Sequence, residues 1–361
     1  MLTTARAKVP LGPLTTLGVG GPADELVEAA TERDAIDAVR EADAAGTPVL
    51  VLGGGSNLLV ADRGFAGRAV RLATRGVTRA REGDRVAVTA QAGEVWDELV
   101  AASVAEGLAG VECLSGIPGL VGATPIQNVG AYGQEVADTI VSVRAWDRVA
   151  REVVTLPAAR CGFAYRDSAF KSGAPGRHVV LAVTFALTPG GAPAVRYGEL
   201  SRALAGDATP ALGRVREVVV ALRRTKSMVL DPGDPESRSA GSFFTNPIVD
   251  AATAVRVEGV ARATGALREG EAMPRFAAGE GRVKLAAAWL IERAGVARGE
   301  ASGRAAVSKA HALALVAREG CTAAEVVALA RSVRERVRAR WGVALAPEPV
   351  RVGFAVGEGV E

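Results

Sequence analysis

Glycine, serine and asparagine directly follow an apolar stretch near the start of the chain. Residues 48–52, Pro-Val-Leu-Val-Leu, precede Gly53, Gly54, Gly55, Ser56 and Asn57. Glycines after a buried strand let backbone N–H groups approach a phosphate, and Ser and Asn side chains can add hydrogen bonds. The segment lacks the Gly-Lys-Ser/Thr end of a P-loop, and Leu58 stands where a Rossmann fingerprint has its third glycine. It predicts a phosphate-binding turn of another type, with a glycine turn that binds nothing as the alternative.

Residues 115–133 form a second segment, so rich in glycine and proline that a regular helix is excluded. It is longer than a plain connection, which favours a binding loop. Two such loops, each attached to its own α/β unit, predict a dinucleotide as ligand. The predicted cofactor contacts are Gly53, Gly54, Gly55, Ser56, Asn57, Ser115, Gly116, Ile117, Pro118, Gly119, Gly122, Ala123, Gln127, Asn128 and Gly130.

Together the two segments resemble the FAD-binding domain of the p-cresol methylhydroxylase (vanillyl-alcohol oxidase) type. More narrowly, the chain resembles the MurB family, the UDP-N-acetylenolpyruvoylglucosamine reductases. The resemblance covers nearly the whole chain and continues through residues 165–168, 197–198, 223–226, 240–247, 284–292 and 347–351. It implies an α+β fold, in which an FAD-binding domain of two α/β subdomains is joined to a C-terminal α+β substrate-binding domain.

The resemblance also implies a chemistry, in which NADPH reduces non-covalent FAD and hydride then passes to the enolpyruvyl group of a UDP-sugar. By resemblance Ser242 is the proton donor, while Arg166 and Glu348 stabilise the enolate-like state. A guanidinium offers a carboxylate two parallel donors, which suits that state. Taken without the resemblance, Ser242 would be a cap or turn hydroxyl, Arg166 a surface ion pair with Asp167, and Glu348 a solvated loop acid.

Further positions match family contacts to the UDP-sugar. They are Tyr165, Tyr197, Lys226, Asn246 and Glu292. Lys226 suits the diphosphate, and the Tyr197-Gly198 segment resembles the branch of the family that closes a tyrosine-bearing loop over the substrate. The chain departs from the family pattern at Pro349, which follows Glu348 where the family usually has Val.

The elements that must position these residues follow from periodicity and turn signals. The sequence predicts strand 25–28, helix 31–45 and strand 48–52, then strand 86–92 and helix 94–105, with further strands at 140–155 and 178–187. Helices are predicted near 284–295, 308–318 and 322–340, and a strand within 347–354. The predicted domains are 1–75 and 76–224, which together bind FAD, and 225–361, which binds substrate and whose tail, 345–361, returns to the active site.

Composition excludes several other classes of protein. The 361 residues carry a net charge of only +3 with arginines scattered among acids, so no nucleic-acid-binding tract is expected. Three widely spaced cysteines give neither a disulfide nor a metal framework, and no metal is predicted. No apolar run is long enough to span a bilayer, and the first residues lack the apolar stretch of a signal peptide. A cytoplasmic protein, with a monomer favoured, is therefore predicted.

Two rival functions remain open on the sequence. An oxidase of the same flavin superfamily would often tether FAD through His or Cys, but the first histidine is His178 and only Cys113 precedes the second glycine segment. A non-catalytic nucleotide-binding protein with the same fold would not need Arg166, Ser242 and Glu348 together.

Overall fold

The computed structural model describes residues 5–360. Within it the chain divides into two compact units, of which the first contains Met1–Val9, Pro22–Gly55 and Phe65–Leu230. The second contains Pro10–Gly21, Ser56–Gly64 and Asp231–Glu361. The first glycine segment is therefore divided after Gly55. The three predicted domains, with boundaries at 75 and 224, stay a prediction.

The first unit contains a four-stranded sheet. Its strands lie in the order Arg6–Pro10, Pro22–Ala29, Phe65–Leu72 and Val49–Leu52. The second and fourth of these each pair in parallel with the third. Helix Glu32–Ala44 begins with a capping box between Thr31 and Asp34, and it buries a face of small side chains spaced at the helical period. The predicted strand, helix and strand over residues 25–52 are confirmed.

An antiparallel sheet forms the rest of the scaffold of this unit. Its strands lie in the order Glu152–Pro157, Ile140–Asp147, His178–Pro189, Arg85–Gln91 and Val77–Glu82, and Leu108–Ala109 also pairs with His178–Pro189. Helix Trp96–Ala105 packs on it through Trp96, whose ring lies 5.7 Å from that of Phe185. The strands and the helix predicted between residues 86 and 187 are confirmed, with a turn at 148–151 dividing the stretch 140–155.

Further helices and strands of the first unit lie outside these two sheets. They are the helices Thr124–Gln127, Gly198–Ala203 and Leu212–Arg224, the π-helix Ala169–Gly173, and the strands Gly130–Ala131 and Gln134–Glu135. Sequence analysis did not predict helix Leu212–Arg224. Its buried residues Leu212, Val215, Val218 and Val219 follow the helical period, so the signal was present in the sequence.

The second unit is built around a long helix and small sheets. Its helices are Ala251–Ala263, Ala287–Arg293 and Ala323–Trp341. Its strands are Ile248–Asp250, Arg275–Ala277, Arg282–Leu285, Ala301–Ser302, Ala305–Val307, Leu315–Ala317 and the parallel pair Leu58–Val60 and Val350–Val352. Trp341, fully buried at the end of the long helix, donates from Nε1 to the carbonyl of Leu290 at 2.9 Å. Helix Ala251–Ala263 was not predicted.

The helix predicted at 308–318 is wrong. That stretch forms a loop and then strand Leu315–Ala317, which pairs with Ala305–Val307. All six residues from Ala312 to Ala317 are buried, so neither the helical nor the strand period shows in the sequence. Its alanines favour a helix by intrinsic propensity, and pairing with the neighbouring strand overrides that preference. The helices predicted at 284–295 and 322–340, and the tail strand, are confirmed.

Candidate active site

In the first unit the two glycine-rich segments come into direct contact. An ideal Cβ placed on Gly54 would lie 2.8 Å from the Cα of Gly119, closer than real Cβ atoms approach. A Cβ on Gly53 would meet its nearest atoms, in Leu120 and Ala123, at 3.9 Å, which is ordinary contact. Glycine at 54 is therefore required by the approach of one backbone to another, whereas glycine at 53 is not required by the protein itself.

Several backbone donors in these segments have no acceptor in the part of the chain that the structure describes. The N–H groups of Gly53, Gly54, Gly55, Ile117 and Gly119 make no hydrogen bond within residues 5–360. Gly119, with φ of 123°, has a conformation that other residues rarely adopt. Grouped N–H donors on adjoining glycine turns are what a diphosphate needs. This donor set fits the phosphates of a dinucleotide.

At other predicted cofactor contacts of the second segment, the N–H or hydroxyl group is already hydrogen-bonded to another residue of the protein. The N–H of Gly116 donates to Asp97 at 2.5 Å, and the N–H of Gly122 donates to the carbonyl of Ala92 at 2.9 Å. The Ser115 hydroxyl, fully buried, donates to the carbonyl of Glu112 at 2.6 Å. These groups shape the loop, and their contact with a cofactor stays a prediction.

Asn128 shapes the loop from within. Its Nδ2 donates to Glu135 at 2.8 Å and to the carbonyl of Ala164 at 2.9 Å, and its Oδ1 accepts from the N–H of Ala137. The residue is in the left-handed region with φ of 42°, which asparagine tolerates better than most residues. In contrast, Nε2 of neighbouring Gln127 is buried with no hydrogen-bond partner among the described residues. An orphaned buried donor of this kind suits a bound ligand.

Arg166 is attached to the end of the second glycine segment. Its Nη2 donates to the carbonyl of Gly130 at 2.5 Å and its Nη1 to that of Asn128 at 3.4 Å. The residue lies in a tight turn closed by reciprocal hydrogen bonds between Ala164 and Asp167, with φ of 55°. A strained backbone of this kind persists only where its surroundings hold it. The predicted catalytic arginine and the predicted cofactor loop are therefore next to each other.

The predicted substrate residues Tyr197 and Lys226 both contact Tyr132 in the first unit. Lys226 forms an ion pair with Glu199 at 2.6 Å and lies 5.6 Å from the ring centre of Tyr132. The rings of Tyr132 and Tyr197 pack edge to face at 5.8 Å. Burial raises the pKa of Tyr132 to about 12, so this phenol stays protonated at neutral pH. Tyr165 stacks against the guanidinium of Arg166 at 5.4 Å.

Arg223 is a buried cation that sequence analysis assigned no role. It lies against Gly116, and burial lowers the pKa of its guanidinium. Nη2 donates to the carbonyl of Met228 at 2.7 Å, while Nε is buried without a partner among residues 5–360. Its place in the Arg-Arg-Thr-Lys stretch was the one sequence signal that pointed to it.

In the second unit the segments that carry Ser242 and Glu348 pair with each other. The N–H of Glu348 donates to the carbonyl of Phe243 at 2.9 Å, and Phe244 pairs with Pro347. The rings of Phe243 and Phe244 are buried beneath this contact, each only 1% exposed. Ser242 and Glu348 are both half-buried, and no hydrogen bond joins the Ser242 hydroxyl to another described residue. The segment lacks the internal bond that a cap or turn hydroxyl would make.

Asn57 lies beside the same tail segment. Its Nδ2 donates to the carbonyl of Glu348 at 3.3 Å, and its own carbonyl accepts from the N–H of Val350 at 2.9 Å. Pro349 is buried between these two hydrogen bonds and does not prevent the N–H of Glu348 from pairing. Arg166 belongs to the first unit, whereas Ser242 and Glu348 belong to the second. That the three act on one reacting group stays a prediction.

The remaining substrate candidates have contacts of their own. Oδ1 of Asn246 accepts from the N–H of Ala287 at 2.9 Å, at the start of helix Ala287–Arg293. Glu292, on that helix, is exposed and forms an ion pair with Arg298 at 2.7 Å. Among the helices of residues 5–360, none is both long and apolar enough to cross a membrane.

Comparison with known proteins identifies the family. Residues 23–155 match the FAD binding domain model, and residues 234–352 match the C-terminal domain model of UDP-N-acetylenolpyruvoylglucosamine reductase. The chain is 50% identical to the Streptomyces avermitilis UDP-N-acetylenolpyruvoylglucosamine reductase over 95% of this chain and 94% of that protein. It is 49% identical to the Thermobifida fusca reductase over 99% of this chain and 100% of that protein.

A solved structure agrees with these sequence matches. The UDP-N-acetylenolpyruvylglucosamine reductase (MurB) from Thermus caldophilus aligns with a TM-score of 0.66 at 26% identity, covering 97% of this chain and 100% of that chain. The fold and the grouped N–H donors thus define an FAD-binding oxidoreductase, which confirms the predicted cofactor and fold class. The chain belongs to the UDP-N-acetylenolpyruvoylglucosamine reductase family.

Proposed function

We propose that this chain reduces the enolpyruvyl ether of UDP-N-acetylglucosamine enolpyruvate to UDP-N-acetylmuramate, with electrons from NADPH. The reaction serves the synthesis of peptidoglycan precursors. The observation that carries the proposal is the pairing of the Ser242 turn with the Glu348 tail, in a chain whose other unit presents unpaired N–H donors on two glycine turns. A protein that only bound a nucleotide would not need a partly shielded hydroxyl on a segment that pairs with an acid-bearing tail.

FAD fits the donor set of the first unit. Gly53, Gly54, Gly55, Ile117 and Gly119 would hold its diphosphate, and Gln127 offers a buried donor with no partner of its own among the described residues. When bound, the flavin supplies hydride to the enolpyruvyl carbon. We infer non-covalent binding, because neither His nor Cys lies in either glycine segment.

The protein residues govern charge and proton at the substrate. After hydride arrives, negative charge develops on the neighbouring carbon and its carboxylate. Arg166 stabilises that charge because a planar guanidinium matches a carboxylate with two parallel donors, and preorganised charge is usually the largest catalytic contribution. Ser242 delivers the proton, and Glu348, the acid beside it, stabilises the same state together with Arg166. A hydroxyl is a weak acid alone, so the close environment is essential to its role.

Five residues are the proposed contacts to the UDP-sugar. Lys226 faces the diphosphate, where a compact ammonium acts as a point charge. Tyr165 and Tyr197 contact the sugar nucleotide, with Tyr197 on a loop that closes over it, and Asn246 and Glu292 bind from the second unit. To bind the diphosphate, Lys226 must break its ion pair with Glu199. Because Glu199 lies next to the Tyr197 loop, substrate binding would release that loop.

The remaining assignments concern the setting of the reaction. NADPH and the UDP-sugar are the small-molecule partners, and the protein acts in the cytoplasm as a monomer, without nucleic acid, metal or membrane insertion. Residues 1–75 and 76–224 act as the FAD-binding subdomains and 225–361 as the substrate domain.

Two half-reactions test this function. Under anaerobic conditions NADPH should bleach the flavin absorbance, and UDP-N-acetylglucosamine enolpyruvate should then restore it with formation of UDP-N-acetylmuramate. Acid denaturation should release the flavin into the supernatant. A flavin that is reoxidised by oxygen but not by the enolpyruvyl sugar would identify an oxidase. A protein whose flavin NADPH does not bleach would contradict the reductase.

A further inference from the structure

The backbone of Glu348 is held on both sides of its Cα within the second unit. On one side its N–H donates to the carbonyl of Phe243 at 2.9 Å. On the other its carbonyl accepts from Nδ2 of Asn57 at 3.3 Å. The side chain of Glu348 projects from the Cα between these two held groups, so a change in either hydrogen bond changes the direction of the carboxylate.

Asn57 is itself held firmly. Its carbonyl accepts from Val350, and the next residue, Leu58, begins the parallel pairing of Leu58–Val60 with Val350–Val352. Pro349 separates Glu348 from that pairing and has no N–H to donate. The parallel pairing of the two strands has not yet begun at Glu348. Its carbonyl therefore accepts from the Asn57 side chain instead of from a strand N–H.

We infer that Asn57 is a positioning residue for proton delivery, acting through Glu348, in addition to any contact it makes with the cofactor. The inference rests on the proposed function. The first glycine segment would then have two tasks, since Gly53 to Gly55 belong to the cofactor loop of one unit and Asn57 fixes the acid of the other. An asparagine suits this position because its amide donates from the side chain while its backbone carbonyl accepts at the strand edge.

Asn57→Asp tests the inference, since it keeps the shape and replaces the donor by an acceptor that faces the Glu348 carbonyl. FAD content reports any contact of Asn57 with the cofactor, so both half-reactions are measured per bound flavin, and flavin reduction by NADPH is the reference rate. Reoxidation by UDP-N-acetylglucosamine enolpyruvate should slow by about 10- to 100-fold, because a displacement of about 1 Å can cost about 10²-fold. The pH profile of reoxidation should shift, as the carboxylate changes its direction. Asn57→Ala should slow the same step.

Thr245→Val is the matched control. The Thr245 hydroxyl donates to the carbonyl of Ala346 at 3.5 Å, so this change removes another side-chain contact to the same tail without touching the Glu348 peptide. Its reoxidation rate should equal that of wild type. If it slowed as much as Asn57→Asp, general loosening of the tail would explain both, and the inference would be overturned.

Three further outcomes separate the inference from the proposed function. If Glu348→Gln slows flavin reoxidation but Asn57→Asp does not, the positioning role of Asn57 alone is overturned. A Glu348→Gln variant that reoxidises at the wild-type rate overturns the role of Glu348 and the inference with it. Loss of FAD from Asn57→Asp, with both half-reactions lowered in proportion, would make Asn57 a cofactor residue only.

Discussion

The sequence could predict which side chains are candidate catalytic residues. It could not predict which residues those side chains and their backbone contact. Ser242, Arg166 and Glu348 are recognised by their place in a family pattern. Nothing in that pattern shows that the carbonyl of Phe243 accepts from the N–H of Glu348, because the two residues are about one hundred positions apart. Contacts between distant segments depend on the packing of the whole unit, and a single sequence does not encode that packing in a local signal.

Ser242→Ala should separate the two half-reactions. Flavin reduction by NADPH should continue near the wild-type rate, because the hydroxyl is needed only for the later proton transfer. Reoxidation by the enolpyruvyl sugar should slow by at least about 10²- to 10⁴-fold, the usual contribution of general acid catalysis. Stopped-flow absorbance of the flavin measures both steps. An equal decrease in both would make Ser242 structural.

At the scale of elements, the two glycine segments have to be considered as one loop pair. Sequence analysis predicted that each cradles phosphate, and the structure adds that some of their glycines are required by packing. Gly122 is one of them, since a Cβ there would lie 2.6 Å from the Cβ of Ala92. A bulky residue at 122 should therefore damage the fold as well as FAD retention. The positions that report on the cofactor alone are those where a Cβ has room.

Gly53→Ala and Gly54→Ala form a matched pair that distinguishes packing from phosphate binding. A Cβ at 53 meets no atom of the protein closer than 3.9 Å, so the Gly53→Ala apoprotein should melt near wild type. Its FAD content should nevertheless decrease, because the methyl group lies among the unpaired N–H donors. Gly54→Ala should lower the melting temperature of the apoprotein, since its Cβ meets Gly119 at 2.8 Å. Full flavin occupancy in Gly53→Ala would contradict a phosphate site there.

Glu112 is a second position where an element depends on one side chain. This fully buried carboxylate accepts from the N–H of Gly110 at 2.7 Å, the N–H of Ala194 at 2.8 Å and Nε2 of Gln134 at 3.3 Å. It therefore ties the base of the Tyr197 loop to both ends of the second glycine segment. Sequence analysis missed it, because a glutamate in an apolar stretch has no motif around it.

Glu112→Gln should destabilise the protein by about 1–3 kcal/mol, because an amide group would face an N–H donor that is left buried and unsatisfied. The midpoint of urea unfolding should fall accordingly. Glu106→Gln serves as the control, since Glu106 is exposed and its ion pair with Arg79 should contribute less than about 1 kcal/mol. Equal midpoints for the two variants would show that the Glu112 carboxylate is not needed for stability.

At the scale of the whole molecule, strands and helices with a clear period of apolar residues could be predicted. The resemblance to a family then predicted the fold in which these elements combine. The helix prediction for residues 308–318 failed because Ala312 to Ala317 are all buried, which removes any period. The division of the first glycine segment between two units is also absent from local sequence, since it depends on the parallel pairing of Leu58–Val60 with the tail strand.

The three predicted catalytic residues come from two units, and their cooperation can be measured by kinetics. Arg166→Lys keeps the charge but loses the planar fork, so turnover should decrease with little change in substrate affinity. Glu348→Gln should spare flavin reduction by NADPH and slow reoxidation. If both side chains act on one enolate-like state, the double variant should be slowed by far less than the product of the two single effects.

The control for this cycle is Arg81→Lys combined with Glu348→Gln. Arg81 lies exposed on strand Val77–Glu82, in the same unit as Arg166, and has no assigned contact with substrate. Its effect should simply multiply with that of Glu348→Gln, because residues without a shared partner contribute independently. Multiplicative behaviour of Arg166→Lys with Glu348→Gln as well would mean that the two residues act on separate steps, and the three-residue site would then be refuted.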